Sequence, residues 1–155
     1  MKVFLDTNII LDLLLERDGY EESAKILQLQ EEGKLATCVS ILTMINVAYV
    51  YKKTVGQRMA VVNLKYLSAL MEVLPMDGAM LEQAIYRDGP DFEDLLQAVC
   101  AAKAGCDYIV TRNEKDFVAG QGLLSERETF PPVMTPSDFL TFMASGNLRP
   151  MPSTG

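Results

Sequence analysis

The sequence has no histidine and no tryptophan, and it has only three cysteines in 155 residues. Without histidine, the chain cannot form a Ser-His-Asp or Cys-His catalytic arrangement, and it cannot build a zinc site that needs imidazole. The cysteines, Cys38, Cys100 and Cys106, are odd in number and lack a CxxC spacing, which argues against a disulfide framework or a structural zinc. We therefore expect buried free thiols and a reducing, cytoplasmic location.

Positive charge is also scarce, because 14 Lys and Arg stand against 21 Asp and Glu, for a net charge of −7. This balance argues against a protein that coats nucleic acid, since neutralising phosphates requires clustered basic residues. It does not exclude a nuclease, because an acidic site can contact a phosphate through a divalent cation. The first residues reach an aspartate without a long apolar run, so we expect neither a signal peptide nor a membrane span.

What the chain does have is 49% hydrophobic residues, arranged as short apolar stretches that alternate with helical patterns. This alternation predicts an α/β fold, with a parallel sheet covered by helices on both faces. We expect one domain over residues 1–145, a loop over residues 119–132 and a flexible tail over residues 146–155. The strands are predicted at residues 3–5, 35–40, 72–76, 107–111 and 132–134.

Polar residues lie at or near the ends of several predicted strands and at one helix start. The apolar run at residues 3–5 stops at Asp6, and parallel sheets bind their ligands beyond the carboxyl ends of their strands. Because these ends share one edge of the sheet, groups distant in the sequence can meet there. The candidates for this edge are Asp6, Asn46, Asp91, Asp94, Asn113 and Asp116.

Convergent carboxylates without a basic partner repel one another, and a divalent metal ion removes this repulsion. Oxygen ligands without imidazole or thiolate favour Mg²⁺ or Mn²⁺. Some of these acids also have structural explanations, since Asp6 and Asp91 are suited to helix N-capping. We interpret Glu93 as solvated surface, and Asp12 as a helix-end charge or a salt-bridge partner rather than a ligand.

Three stretches together resemble one known family. DTNIILD at residues 6–12, DFED at 91–94 and DYIVTRNEKDF at 107–117 are similar to PIN domains, particularly to the branch of VapC-like toxins and PIN-type ribonucleases. The resemblance extends over most of the chain and implies a three-layer α/β/α fold around a parallel sheet of about five strands. It also implies an endoribonuclease site that depends on Mg²⁺ or Mn²⁺.

Carried over by position, the resemblance makes Asp6, Asp94 and Asp116 the catalytic acids and metal ligands. Further metal-binding candidates are Asn113, Asn46 and Asp91, and the supporting polar groups are Thr7, Asn8 and Thr111. One position departs from the family pattern, because the helix after the second strand carries Asn46 where a glutamate is usual. An amide oxygen brings no charge, so this departure predicts weaker metal binding.

The resemblance implies an RNA substrate, an antitoxin that blocks the cleft with a basic side chain if the protein is a toxin, and a homodimer. Two alternatives remain open. A degenerate PIN domain would bind RNA or a protein without cleaving, and Asn46 favours that hypothesis. A phosphatase or phospho-acceptor domain would use Asp6 as a nucleophile. Such sites need a second acid two residues later, and this position is occupied by Asn8 here.

Overall fold

The computed structural model describes residues 1–87, 89–119 and 130–146, without the side chains of residues 116, 118 and 119. Within this part, five strands alternate with helices along the chain. The strands are β1 (Lys2–Leu5), β2 (Ala36–Ser40), β3 (Glu72–Leu74), β4 (Tyr108–Val110) and β5 (Val133–Met134). The helices are α1 (Thr7–Leu14), α2 (Tyr20–Glu31), α3 (Ile41–Val55), α4 (Gln57–Leu70), α5 (Gly78–Ile85), α6 (Phe92–Lys103), α7 (Glu114–Ala119) and α8 (Pro136–Ala144).

The five strands form one parallel sheet in the order β3-β2-β1-β4-β5. Strand β1 lies at the centre, paired with β2 on one side and with β4 on the other. The ladder continues one residue past β1, since the Asp6 amide donates to the Val110 carbonyl at 3.1 Å. The carboxyl ends of the central strands therefore meet at one edge, with Asp6 in the middle.

Strand β1 is buried on both faces. Val3 and Leu5 belong to one hydrophobic cluster with residues of α1 and α2, whereas Phe4 belongs to a second cluster with Cys38 and the apolar side of α6. Successive side chains of a strand point to opposite faces, so helices cover the sheet on both sides. This confirms the predicted three-layer α/β/α fold.

Several helices begin at the polar residues that the sequence supplies. Ser40 caps α3 by accepting a hydrogen bond from the Thr43 amide, and Asp91 caps α6 by accepting one from the Asp94 amide. Such side-chain caps satisfy backbone N–H groups that have no partner within the helix. The capping role expected of Asp91 is confirmed, and it fixes where α6 starts.

The structure adds one helix that the sequence pattern did not predict. Residues 112–116 were interpreted only as polar groups after the fourth strand, but α7 begins at Glu114. This short helix has one strong anchor, because Phe117 is 1% exposed and packs into the same cluster as Phe4. Of the predicted loop and tail, residues 120–129 and 147–155 lie outside the described residues.

Two other expectations concern the cysteines and membranes. Cys38, Cys100 and Cys106 are free and buried, as predicted. Among the described residues, no helix is both long enough and apolar enough to cross a membrane.

Candidate active site

Asp6 is the residue around which the site is built. It ends β1 and caps α1, and its side chain is only 3% exposed. Its Oδ1 atom accepts a hydrogen bond from the Thr7 amide at 2.7 Å, and its Oδ2 atom accepts one from the Thr111 hydroxyl at 2.9 Å. Thr111 directly follows β4, so two adjacent strand ends fix the orientation of this carboxylate.

The pKa of Asp6 is raised from 3.8 to about 6. Burial is the main cause, because it disfavours the charged carboxylate. The hydrogen bonds from Thr111 and Thr7 lower the pKa, whereas the negative charges of Glu93 and Asp91 raise it further. Asp6 therefore lies in an acidic environment, with its ionised form held by two neutral donors.

Helix α6 brings three acids to the same edge of the sheet. Asp91 is its N-cap, and Glu93 and Asp94 lie in its first turn. Asp94 is only 8% exposed, whereas the side chains of Asp91 and Glu93 are exposed. A hydrogen bond from the side of α6 to the hydroxyl of Thr7, the residue after Asp6, joins this helix to the end of β1.

Glu93 is exposed, as expected, but its side chain also has a partner on a neighbouring helix. Its Oε1 atom accepts a hydrogen bond from the side-chain amide of Asn46 at 2.5 Å. Asn46 is half-buried on α3, and Glu93 lies on α6. The contact therefore joins two helices that are far apart in the sequence. The structure thus places a carboxylate directly beside the position where the resemblance led us to expect one.

A buried polar cluster beneath these groups was missed at the level of sequence. Gln97 is 0% exposed, and its amide oxygen accepts a hydrogen bond from the Ser40 hydroxyl at 2.5 Å. Its amide nitrogen donates to the Thr43 hydroxyl at 2.9 Å and, at 3.5 Å, to that of Thr7. The signal available in the sequence was a single amide within the apolar run of α6, LLQAVCAA.

The remaining predicted residues lie on the chain that follows β1 and β4. The Asn113 backbone amide donates to the Thr111 hydroxyl at 3.0 Å, while its own side chain is exposed. Asn8 is half-buried in the first turn of α1. Asp116 belongs to α7, and its side chain lies outside the description. The backbone path therefore brings these residues towards the same edge as Asp6.

Asp12 belongs to a separate ion pair. It is 0% exposed, and its Oδ2 atom lies 3.0 Å from Nε of Arg112. Burial raises the pKa of Asp12, while the charges of Arg112 and Arg17 lower it. Since Arg112 immediately follows Thr111, the pair joins the end of α1 to the segment that orients Asp6. The expectation that Asp12 is a salt-bridge partner is confirmed.

The donor chemistry of the site suits a hard divalent cation. The groups near Asp6 supply carboxylate and amide oxygens, and the chain has no histidine. Within the described side chains, which do not include Asp116, no three acids or thiols come close enough to form a complete metal-binding cluster. Asp6, Asp91 and Glu93 nevertheless bring negative charge together, which is the environment that a cation would stabilise.

These features define a class: a parallel α/β/α domain with an acidic site at the carboxyl end of its central strand. A model of the PIN domain family matches residues 2–115. The chain belongs to the PIN-domain family. The family match includes Asp6, Asp91 and Asp94 and ends one residue before Asp116.

Known relatives agree with this membership. The chain is 33% identical over 124 residues to Ribonuclease VapC1 of Aquifex aeolicus (strain VF5). The aligned region covers 75% of this chain and 83% of that protein. The fold is similar to that of VapBC2 from Rickettsia felis bound to a promoter DNA fragment, with a TM-score of 0.61, 17% identity and coverage of 87% and 98% of the two chains. It is similar to DNA-bound VapBC from Salmonella typhimurium, with a TM-score of 0.61, 20% identity and coverage of 88% and 98%.

Proposed function

We propose that this chain is an endoribonuclease that depends on Mg²⁺ or Mn²⁺ and that it is the toxin of a toxin-antitoxin pair. The observation that carries the proposal is the buried Asp6 carboxylate, oriented by Thr7 and Thr111 at the end of the central strand. The acids at the start of α6 add negative charge beside it. A relative named as a ribonuclease, matched over most of the chain, supports RNA as the substrate.

In this proposal Asp6, Asp94 and Asp116 hold the ion, with Asp91 and Asn113 beside them. When bound, such an ion acidifies water and offsets the negative charge that develops on a phosphate during in-line displacement. Thr7 and Thr111 orient the Asp6 carboxylate, because each donates to a different oxygen. Orientation of this kind matters because groups that hold a ligand in place tune its affinity and activity.

The burial of Asp94 gives it a role different from that of Asp91. Asp94 is 8% exposed and lies in the first turn of α6, where the helix dipole favours a negative charge. Asp91 uses one carboxylate oxygen to cap the helix through the Asp94 amide. We therefore assign ion binding to Asp94, and to Asp91 mainly the positioning of the backbone that carries it.

We also propose an antitoxin partner that blocks the acidic edge, with a basic side chain placed among the carboxylates. The structural relatives are VapBC complexes, which supports a protein partner. Helices α3 and α4 expose large apolar side chains, including Ile45, Tyr49, Val62 and Tyr66, and exposed apolar surface is typical of interaction sites. Such side chains are also compatible with a homodimer.

The test is cleavage of a labelled, mixed RNA pool by the purified protein with Mg²⁺ or Mn²⁺, beside an EDTA control. We expect cleavage that requires the metal and is lost in Asp6→Asn. The matched control is Asp107→Asn, because Asp107 also accepts a backbone hydrogen bond, from Lys2 at 2.6 Å, but lies before β4 at the opposite edge of the sheet. Equal cleavage by both variants would refute the assignment of Asp6.

The second candidate is a PIN domain that binds RNA or a protein without cleaving it. The neutral side chain of Asn46 favours it, because an amide contributes no charge to a metal site. This candidate predicts that the folded wild-type protein, free of any bound inhibitor, leaves the RNA pool intact with either metal. Metal-dependent cleavage lost in Asp6→Asn eliminates it.

A further inference from the structure

We propose that Glu93, held in place by Asn46, is an additional metal-binding carboxylate of this site. The inference rests on the proposed nuclease function and names a residue that the motif-based assignment leaves out. The Asn46 side-chain amide donates a hydrogen bond of 2.5 Å to Oε1 of Glu93. A surface glutamate normally samples many conformations, whereas this one is linked to a neighbouring helix.

The contact is the outer of two successive contacts between the same pair of helices. Gln97 lies one helical turn after Glu93 on α6, and Asn46 lies one turn after Thr43 on α3. The inner contact, from Gln97 to Thr43 at 2.9 Å, is fully buried. The two contacts are one turn apart on each helix, so Glu93 and Gln97 lie on one side of α6, and Asn46 and Thr43 on the facing side of α3.

These contacts point to Asp6. Thr7, whose amide holds Oδ1 of Asp6, lies 3.0 Å from the Thr43 hydroxyl and accepts a hydrogen bond from Gln97. The hydrogen bonds that position Glu93 are therefore adjacent to those that orient Asp6. The negative charge of Glu93 also raises the pKa of Asp6, in agreement with these contacts.

The chemistry of the Asn46 contact preserves the charge of Glu93. An arginine or lysine at this position would neutralise the carboxylate, whereas an amide donates a hydrogen bond and carries no charge. The carboxylate keeps further lone pairs on its oxygens that a cation can use. Asn46 is thus a positioning residue, and the acid that its position lacks is supplied by Glu93 from the opposite helix.

The test measures Mn²⁺ binding directly, by isothermal titration calorimetry and by the electron paramagnetic resonance signal of free Mn²⁺, on the purified full chain without RNA. Glu93→Gln keeps the size of the side chain and an acceptor for Asn46 but removes the charge. We expect it to weaken Mn²⁺ binding by about tenfold or more, because even groups that only orient metal ligands contribute about tenfold to affinity. Asn46→Ala, which releases Glu93 but keeps its charge, is expected to weaken binding by a smaller factor.

The matched control is Glu21→Gln. Like Glu93, Glu21 is an exposed glutamate at the second position of its helix, α2. Its substitution should leave Mn²⁺ binding unchanged. Circular dichroism and thermal unfolding check that every variant is folded. Because the readout is binding rather than cleavage, it separates loss of the ion from loss of RNA contact.

Asp6→Asn separates this inference from the function on which it rests. If Asp6→Asn abolishes Mn²⁺ binding while Glu93→Gln binds as tightly as Glu21→Gln, Glu93 is not a ligand and the nuclease proposal stands. If the wild-type chain binds no Mn²⁺ and does not cleave RNA, both proposals are overturned. Weaker binding in Glu93→Gln than in Glu21→Gln, in folded proteins, supports the assignment.

Discussion

The raised pKa of Asp6 makes a quantitative prediction for the stability of the metal-free protein. The folded protein keeps the proton on Asp6 up to about pH 6, whereas the unfolded chain releases it near the ordinary value of 3.8. Between these values the folded state binds more protons than the unfolded state, so stability falls as the pH rises. The difference corresponds to about 3 kcal/mol, fully lost above the folded-state pKa.

The assay is urea denaturation of wild type and Asp6→Asn across pH 4 to 8 in EDTA, at the same ionic strength. Other carboxyl groups also titrate in this range, but they are common to both proteins. The difference in unfolding free energy between the two proteins therefore isolates Asp6. We expect the wild type to lose stability relative to Asp6→Asn as the pH rises through 6, with a constant difference from about pH 7 upwards.

A divalent ion should reverse this trend, because it stabilises the ionised carboxylate. With Mn²⁺ present, the wild type should gain stability above pH 6 according to the ion's affinity, while Asp6→Asn should gain little. Two results would refute the reasoning: a difference between the proteins that does not change with pH in EDTA, or equal stabilisation of both by Mn²⁺.

Three further predictions concern the framework of the site, and urea denaturation measures each. Gly19→Ala should cost about 1 to 3 kcal/mol, because a Cβ atom there would lie 2.3 Å from Oδ2 of the buried Asp12, whereas Gly78→Ala meets nothing within 4 Å and should be neutral. Arg112→Ala should cost about 1 to 2 kcal/mol, because the buried Asp12 loses its ion-pair partner while that partner is itself 40% exposed, and adding Asp12→Asn should recover part of the loss. Gln97→Leu should cost about 2 kcal/mol, because it leaves buried hydroxyls without their amide partner, and a variant as stable as wild type would contradict the polar cluster.

Much of the fold could be predicted from local patterns. The strands begin and end within two residues of their predicted positions, because each contains a short apolar run that the helical pattern does not continue. The order of the strands, with β1 at the centre, was not predicted, because it depends on pairing between strands that are distant in the sequence. Helix α7 was missed because its stability depends on Phe117 packing against distant residues rather than on its own periodicity.

The sequence by itself determined the alternation of strands and helices, the family to which the chain belongs, and the position of Asp6 at the end of a buried strand. These properties depend on residues that are neighbours in the chain, or on motifs that occur in a fixed order. The predictions that Asp91 caps a helix and that Asp12 is a salt-bridge partner also agree with the structure.

Only the tertiary structure decided which polar side chains meet. Asn46 and Glu93 are separated by 47 residues, and their contact depends on how α3 and α6 are rotated about their axes. The buried contacts of Gln97 with Ser40 and Thr43 join the same two helices one turn away, and a linear pattern does not encode them. The same glutamate is therefore a surface residue in the sequence and a neighbour of the acidic site in the folded chain, because packing rather than local propensity fixes its position.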